Sequence, residues 1–74
     1  MIEKIKQFYK NEYRELRKEL VGCENKSYVI DLAQSRLMGA ALFAVSELSC
    51  PEEEVALLYY HYQHKMEILR PDED

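Results

Sequence analysis

Leu37–Val45, LMGAALFAV, is a run of nine residues without a charge in a chain that is 32% charged. A bilayer span takes roughly 20 apolar residues, so the stretch is too short to cross a membrane by itself. It lies inside a longer run with helical spacing and reads as the middle of a central helix that other elements must cover. Its small residues, Gly39, Ala40, Ala41 and Ala44, leave room for neighbouring helices, while Met38, Leu42 and Phe43 supply bulk. Ala40 and Ala44 are expected where helices pass closest.

The flanking residues extend this pattern in both directions. Ile30, Ala33, Leu37, Ala40, Ala41, Ala44 and Leu48 make one stripe at the 3.6-residue period. Tyr28, Leu32, Gly39 and Phe43, with Met38 and Leu42 nearer the edge, make a second line on roughly the opposite side. A helix over about 27–48 that is apolar on two sides needs cover on both, from helices on either hand or from a second subunit. Ser27 suits its N-cap, and Asp31 falls in its first turns, where the helix dipole favours a carboxylate.

Upstream, Ile2, Ile5, Tyr9, Tyr13, Leu16 and Leu20 keep a straight-helix period and not the 3.5 of a coiled coil, which predicts a bundle helix over about 2–21. Its flanks are sorted by sign. Lys6, Lys10, Arg14 and Arg17 line one side of the stripe, and Glu12, Glu15 and Glu19 line the other. Gly22 stops the helix, with GCENKS as the loop. Downstream, Cys50 is pushed out of the α region by Pro51, which suits a first helical position, and Glu52, Glu53 and Glu54 complement the dipole of a helix over about 51–69. Val55, Leu58, Tyr59, Tyr62, Met66 and Leu69 form its main face. Leu57, Tyr60, His61, His64 and Ile68 form a second, semi-polar line.

The short connections favour antiparallel neighbours, so the expected fold is all-α: a small antiparallel three-helix bundle, one domain over 1–74, with 70–74 as a flexible acidic tail. A chain of 74 residues buries only about 60% of its unfolded surface, and oligomerisation would complete so small a core. The N-terminal stretch carries no apolar signal region, and the reading is of a cytoplasmic protein without a membrane partner.

Residue chemistry narrows the function. Cys23 and Cys50, at opposite ends of a helix of about 21 residues, lie roughly 30 Å apart, far beyond the reach of a disulfide or a shared metal. His61 and His64 share a face at i, i+3, but helical metal signatures need His at i, i+4 with Glu, or paired Glu-x-x-His motifs, and neither is present. No Gly-rich elbow or phosphate loop exists in a chain with two glycines, and a bundle of this size has little room for a pocket. Neither catalysis nor a cofactor or metal is therefore expected.

Tyr9, Tyr13, Tyr59 and Tyr62 fall on the apolar stripes, where packing with the hydroxyl reaching water is expected. Tyr28 and Tyr60 lie off them. Together with Met38, Phe43, Leu57, His61 and His64 they make up the candidate interaction surface. The sequence thus reads as a small non-enzymatic interaction or regulatory protein whose partner is a protein, including a second copy of itself. The alternative is nucleic-acid association through Lys6, Lys10, Arg14 and Arg17. A net charge of −4 opposes a polyanion, so that edge reads first as a solvated or protein-facing flank.

Overall fold

Three helices, α1 (Ile2–Leu20), α2 (Lys26–Ser46) and α3 (Glu52–Ile68), make up the fold in a computed structural model that describes residues 2–71. It is the expected all-α three-helix bundle, with no strand among the described residues.

Side-chain contacts fix the directions. The Tyr9 hydroxyl donates to the Leu37 carbonyl at 2.8 Å and Arg36 Nε meets Glu12 Oε1 at 2.7 Å, while Ile5 near the start of α1 shares a groove with Leu48 just past the end of α2. α1 and α2 are therefore antiparallel. At the other end Arg70, just after α3, reaches Asp31 and the Ser27 carbonyl near the start of α2, so α2 and α3 are antiparallel too. α1 and α3 run the same way, with Tyr13 against Tyr62.

The core follows the predicted stripes. α1 buries Ile5, Tyr9, Leu16 and Leu20, α2 buries Ile30, Ala33, Leu37 and Ala44, and α3 buries Val55 and Met66. Ile2, Tyr13, Ala40, Ala41, Leu48, Leu58, Tyr59, Tyr62 and Leu69 pack half-buried around them.

The cover expected over Leu37–Val45 is only half there. α1 and α3 both dock on the stripe of Ile30, Ala33, Leu37 and Ala44, so they share one side of α2 and leave the other open. Within the nine residues Leu37 and Ala44 are buried, but Met38, Gly39, Leu42 and Phe43 are exposed.

Several ends also differ from expectation. Asn25, not Ser27, caps α2, its side-chain oxygen accepting from the Tyr28 N–H at 3.3 Å; Ser27 lies inside the first turn. Asp31 sits beyond that first turn and pairs with Arg70 at 2.9 Å. α2 stops at Ser46 and not Leu48, since Ser49 turns into the left-handed region (φ 56°) and the Cys50 N–H returns to the Ala44 carbonyl at 3.0 Å. Pro51 is the extended N-cap of α3, whose first helical residue is Glu52. Gly22, at φ 74°, ends α1 through the left-handed conformation that glycine adopts without strain.

Arg70 was expected to begin a loose tail. Instead its guanidinium binds Glu67, Asp31, Gln34 and the Ser27 carbonyl. Glu67 is held below the usual carboxylate range, chiefly by its hydrogen bond from Arg70 and then by that from Gln34. The other residues of the expected tail, 72–74, lie outside the described residues.

Candidate functional site

Two surfaces on opposite sides of the bundle concentrate chemistry. The first is the open face of α2. At 100° per residue, Tyr28, Leu32, Ser35, Gly39, Leu42 and Phe43 share one side, turned away from the buried stripe. Tyr28 is 58% exposed, Leu42 64% and Phe43 54%, so the large side chains on this side lie open. Between this face and α1, Ile5, Phe8, Gly39, Ala40, Phe43 and Leu48 wall an apolar groove of about 470 Å³ with Arg36 at its rim. A Cβ built on Gly39 would meet nothing within 4 Å, so the glycine answers no crowding inside the protomer.

The second surface is the trough between α1 and α3. The basic flank of α1 faces α3, because its acidic flank faces α2, where Glu12 grips Arg36. Lys10, Arg14, Arg17 and Lys18 line a cavity of about 510 Å³ with Lys65 of α3, over Tyr13 and Tyr62. A second cavity of about 420 Å³, lined by Glu3, Lys6, Gln7, Lys10, Leu58, His61 and Tyr62, shares Lys10 and Tyr62 with the first. The Lys65 ammonium stands 4.5 Å from the Tyr13 ring centre and 5.2 Å from that of Tyr62, and the Arg17 guanidinium stands 5.9 Å from Tyr13. Lys65 and Arg17 thus rest on aromatic faces, an attractive arrangement that holds two of the trough's cations in place.

Lys6 and Lys18 each pair with a glutamate one turn away on α1, at 3.5 and 3.6 Å. Such exposed pairs are worth little. Lys10, Arg14, Arg17 and Lys65 have no carboxylate within ion-pairing distance among the described residues.

The seven residues read as one interaction surface do not converge. Tyr28 and Phe43 lie on the open face of α2. Met38 lines a dip between α2 and α3 with Tyr59 and Gln63. Leu57, Tyr60 and His64 are exposed on α3, and His61 lines the trough, its ring edge-on to Tyr62 at 5.0 Å. By contrast Lys6, Lys10, Arg14 and Arg17 do share one trough.

Sequence reasoning missed Lys65 as a member of the basic cluster and Phe8 as a wall of the apolar groove. The signal for Lys65 was its place one turn after Tyr62, a main-face tyrosine; which side of α1 it would meet depends on the handedness of the bundle. Among the described residues no three His, Cys, Asp or Glu side chains are grouped as a metal site needs, and Cys23 and Cys50 are free thiols. Tyr9 departs from the expectation that its hydroxyl reaches water: it is fully buried, and burial, with a smaller contribution from Tyr59, pushes its pKa up to about 12. Compared with known protein families, with curated proteins and with solved structures, the chain matches none.

Proposed function

We propose that this is a small non-enzymatic helical interaction protein of the cytoplasm that self-associates through the open face of α2. The observation that carries the reading is a helix apolar on two opposite sides yet covered on one of them only. A helix of that composition is normally buried on both. Here Tyr28, Leu32, Leu42 and Phe43 remain open on one side of a 74-residue bundle.

The face complements itself. In an antiparallel pair of α2 helices, Tyr28 lies opposite Phe43 of the second copy and Leu32 opposite Gly39, both pairs centred between Ser35 and Arg36. A two-fold axis there makes the same patch serve both subunits, as an isologous dimer requires. Each Leu32 meets the recess at Gly39, where no atom of its own protomer intrudes.

By length and composition α2 is also long and apolar enough to cross a membrane, with a mean hydropathy of 1.3 over its best window. Its two mid-helix charges favour the protein reading, since Asp31 is paired with Arg70 and Arg36 with Glu12.

Sedimentation velocity from low to high micromolar concentration tests the proposal. A dimer is expected, converted to a monomer of unchanged helix content by Phe43→Glu. A wild-type chain that stays monomeric at high micromolar concentration sinks it.

A further inference from the structure

We propose that the trough between α1 and α3 binds single-stranded nucleic acid through its phosphodiester backbone. This is independent of self-association, which uses the other side of the molecule.

The first argument is charge segregation. Six of the ten basic residues, Lys6, Lys10, Arg14, Arg17, Lys18 and Lys65, line the two joined cavities, whereas among the described residues Glu3 is the one acidic residue that does so. The net charge of −4 is a property of the whole chain and does not describe this trough, where basic residues dominate among the described residues. Glu3 and Glu15 offset Lys6 and Lys18 at 3.5 and 3.6 Å, while charges more than a Debye length of about 8 Å away are largely screened at physiological salt, so the field in the trough is set chiefly by Lys10, Arg14, Arg17 and Lys65. Four cations with no carboxylate within ion-pairing distance among the described residues repel one another, and an anion bound between them reduces that repulsion.

The second argument is shape. Lys6, Lys10, Arg14 and Arg17 follow one another at 4, 4 and 3 residues along a straight helix, so they step about 5 to 6 Å at a time over about 16 Å. A row suits an extended chain of phosphates better than a single phosphate group. The row also runs along a concavity, with the rings of Tyr13 and Tyr62 set 6.2 Å apart in its wall. A single strand can lie in such a channel with successive phosphates along the row, held by backbone contacts that carry no sequence preference, while the rings back the cations Lys65 and Arg17. A duplex is too broad to enter and would meet only the rim.

Arg14 and Lys10 are exposed and make no ion pair among the described residues, so reversing them tests the site without disturbing the core. The probe is a labelled oligothymidylate of about 12 nucleotides, followed by fluorescence anisotropy at about 50 mM salt. Micromolar binding is expected, with a log–log salt slope of about −3 from four backbone contacts at roughly −0.7 each. Lys10→Glu with Arg14→Glu should weaken it by about tenfold or more, while the same charge change at Lys4 and Lys26, outside the trough, should have a much smaller effect.

Three results overturn the proposal. One is no binding at low salt. Another is equal loss in the two double variants, which means diffuse electrostatics and no site. The third is equally tight binding of duplex DNA, or displacement by a polyglutamate peptide at equal charge, which assigns the trough to acidic surfaces in general.

Discussion

Replacing Tyr9 by Phe removes one buried hydroxyl from the centre of the bundle and nothing else. The ring is fully buried and packs edge-on to Tyr62 at 5.8 Å, and Phe keeps that shape, so no cavity opens. What is lost is the 2.8 Å hydrogen bond to the Leu37 carbonyl, an oxygen in mid-helix that keeps its place in the backbone ladder. The net value of such a bond is about 0.5–1.5 kcal/mol, so near pH 7 the variant should be less stable by about 1 kcal/mol. The difference should then change with pH. In the folded state the Tyr9 pKa is raised to about 12 from an ordinary 10.0, so the folded chain holds this proton after the unfolded chain has released it. The advantage of Tyr over Phe is therefore fully present below pH 10 and falls as pH rises from there towards the folded value. At about pH 11 ionisation of the unfolded state costs the wild type about 1.4 kcal/mol, which cancels or reverses its advantage. Urea unfolding of both proteins, followed by far-ultraviolet circular dichroism across this pH range, reads the difference directly, and the other tyrosines and the lysines cancel in the comparison. A stability difference that stays constant from neutral to strongly alkaline pH, or a Phe variant as stable as the wild type at pH 7, would refute the reasoning.

Ala40 and Ala44 share a stripe but not an environment. Ala44→Leu should overpack the core at a cost of about 1–3 kcal/mol, whereas Ala40→Leu, half-buried on the wall of the apolar groove, should cost less than 1.5 kcal/mol or so, compared by denaturation midpoint. Gly39→Ala should raise monomer stability by about 0.5–1 kcal/mol when measured at low protein concentration, because a Cβ there meets nothing, and should weaken self-association, because it fills the recess opposite Leu32. An unchanged denaturation midpoint in dilute protein would mean the site is crowded after all.

The stripes could be read from the sequence because burial on one side of a helix leaves a periodic record. Ile5, Tyr9, Leu16, Ile30, Leu37, Val55 and Met66 all stand where a 3.6-residue period places them. Handedness leaves no such record. Nothing in the sequence says whether α3 lies against the basic or the acidic flank of α1, so the meeting of Lys65 with Arg14 and Arg17 could not be foreseen. The outer line of α2 was legible as apolar but not as open, since the same residues would read the same under a third neighbour. Ends were the least legible. Asn25 and Ser27 are both good caps, and the choice between them follows from where the loop after Gly22 delivers the chain. Arg70 looked like tail because its partners, Asp31 and Gln34, are more than thirty residues away in sequence and come near only once α2 and α3 pack antiparallel.

The two surfaces are placed so that each can act while the other is occupied. α1 and α3 both pack on the buried side of α2, so the trough between them faces away from the open face that a second copy would cover. A dimer built on α2 therefore presents two troughs outward, with Lys10, Arg14, Arg17 and Lys65 of each copy uncovered. That arrangement has a measurable consequence. A strand long enough to reach both troughs is held twice, and the second engagement is intramolecular, so its affinity should exceed that of a short strand by about tenfold or more. Phe43 touches neither cavity of the trough, so Phe43→Glu should leave the short-strand affinity unchanged and remove the advantage of the long strand. Titrating short and long oligothymidylates against both proteins above the dimer concentration separates the two surfaces. A length advantage that survives in a monomeric Phe43→Glu chain would show that it comes from the trough alone, and that pairing through α2 adds nothing to strand binding.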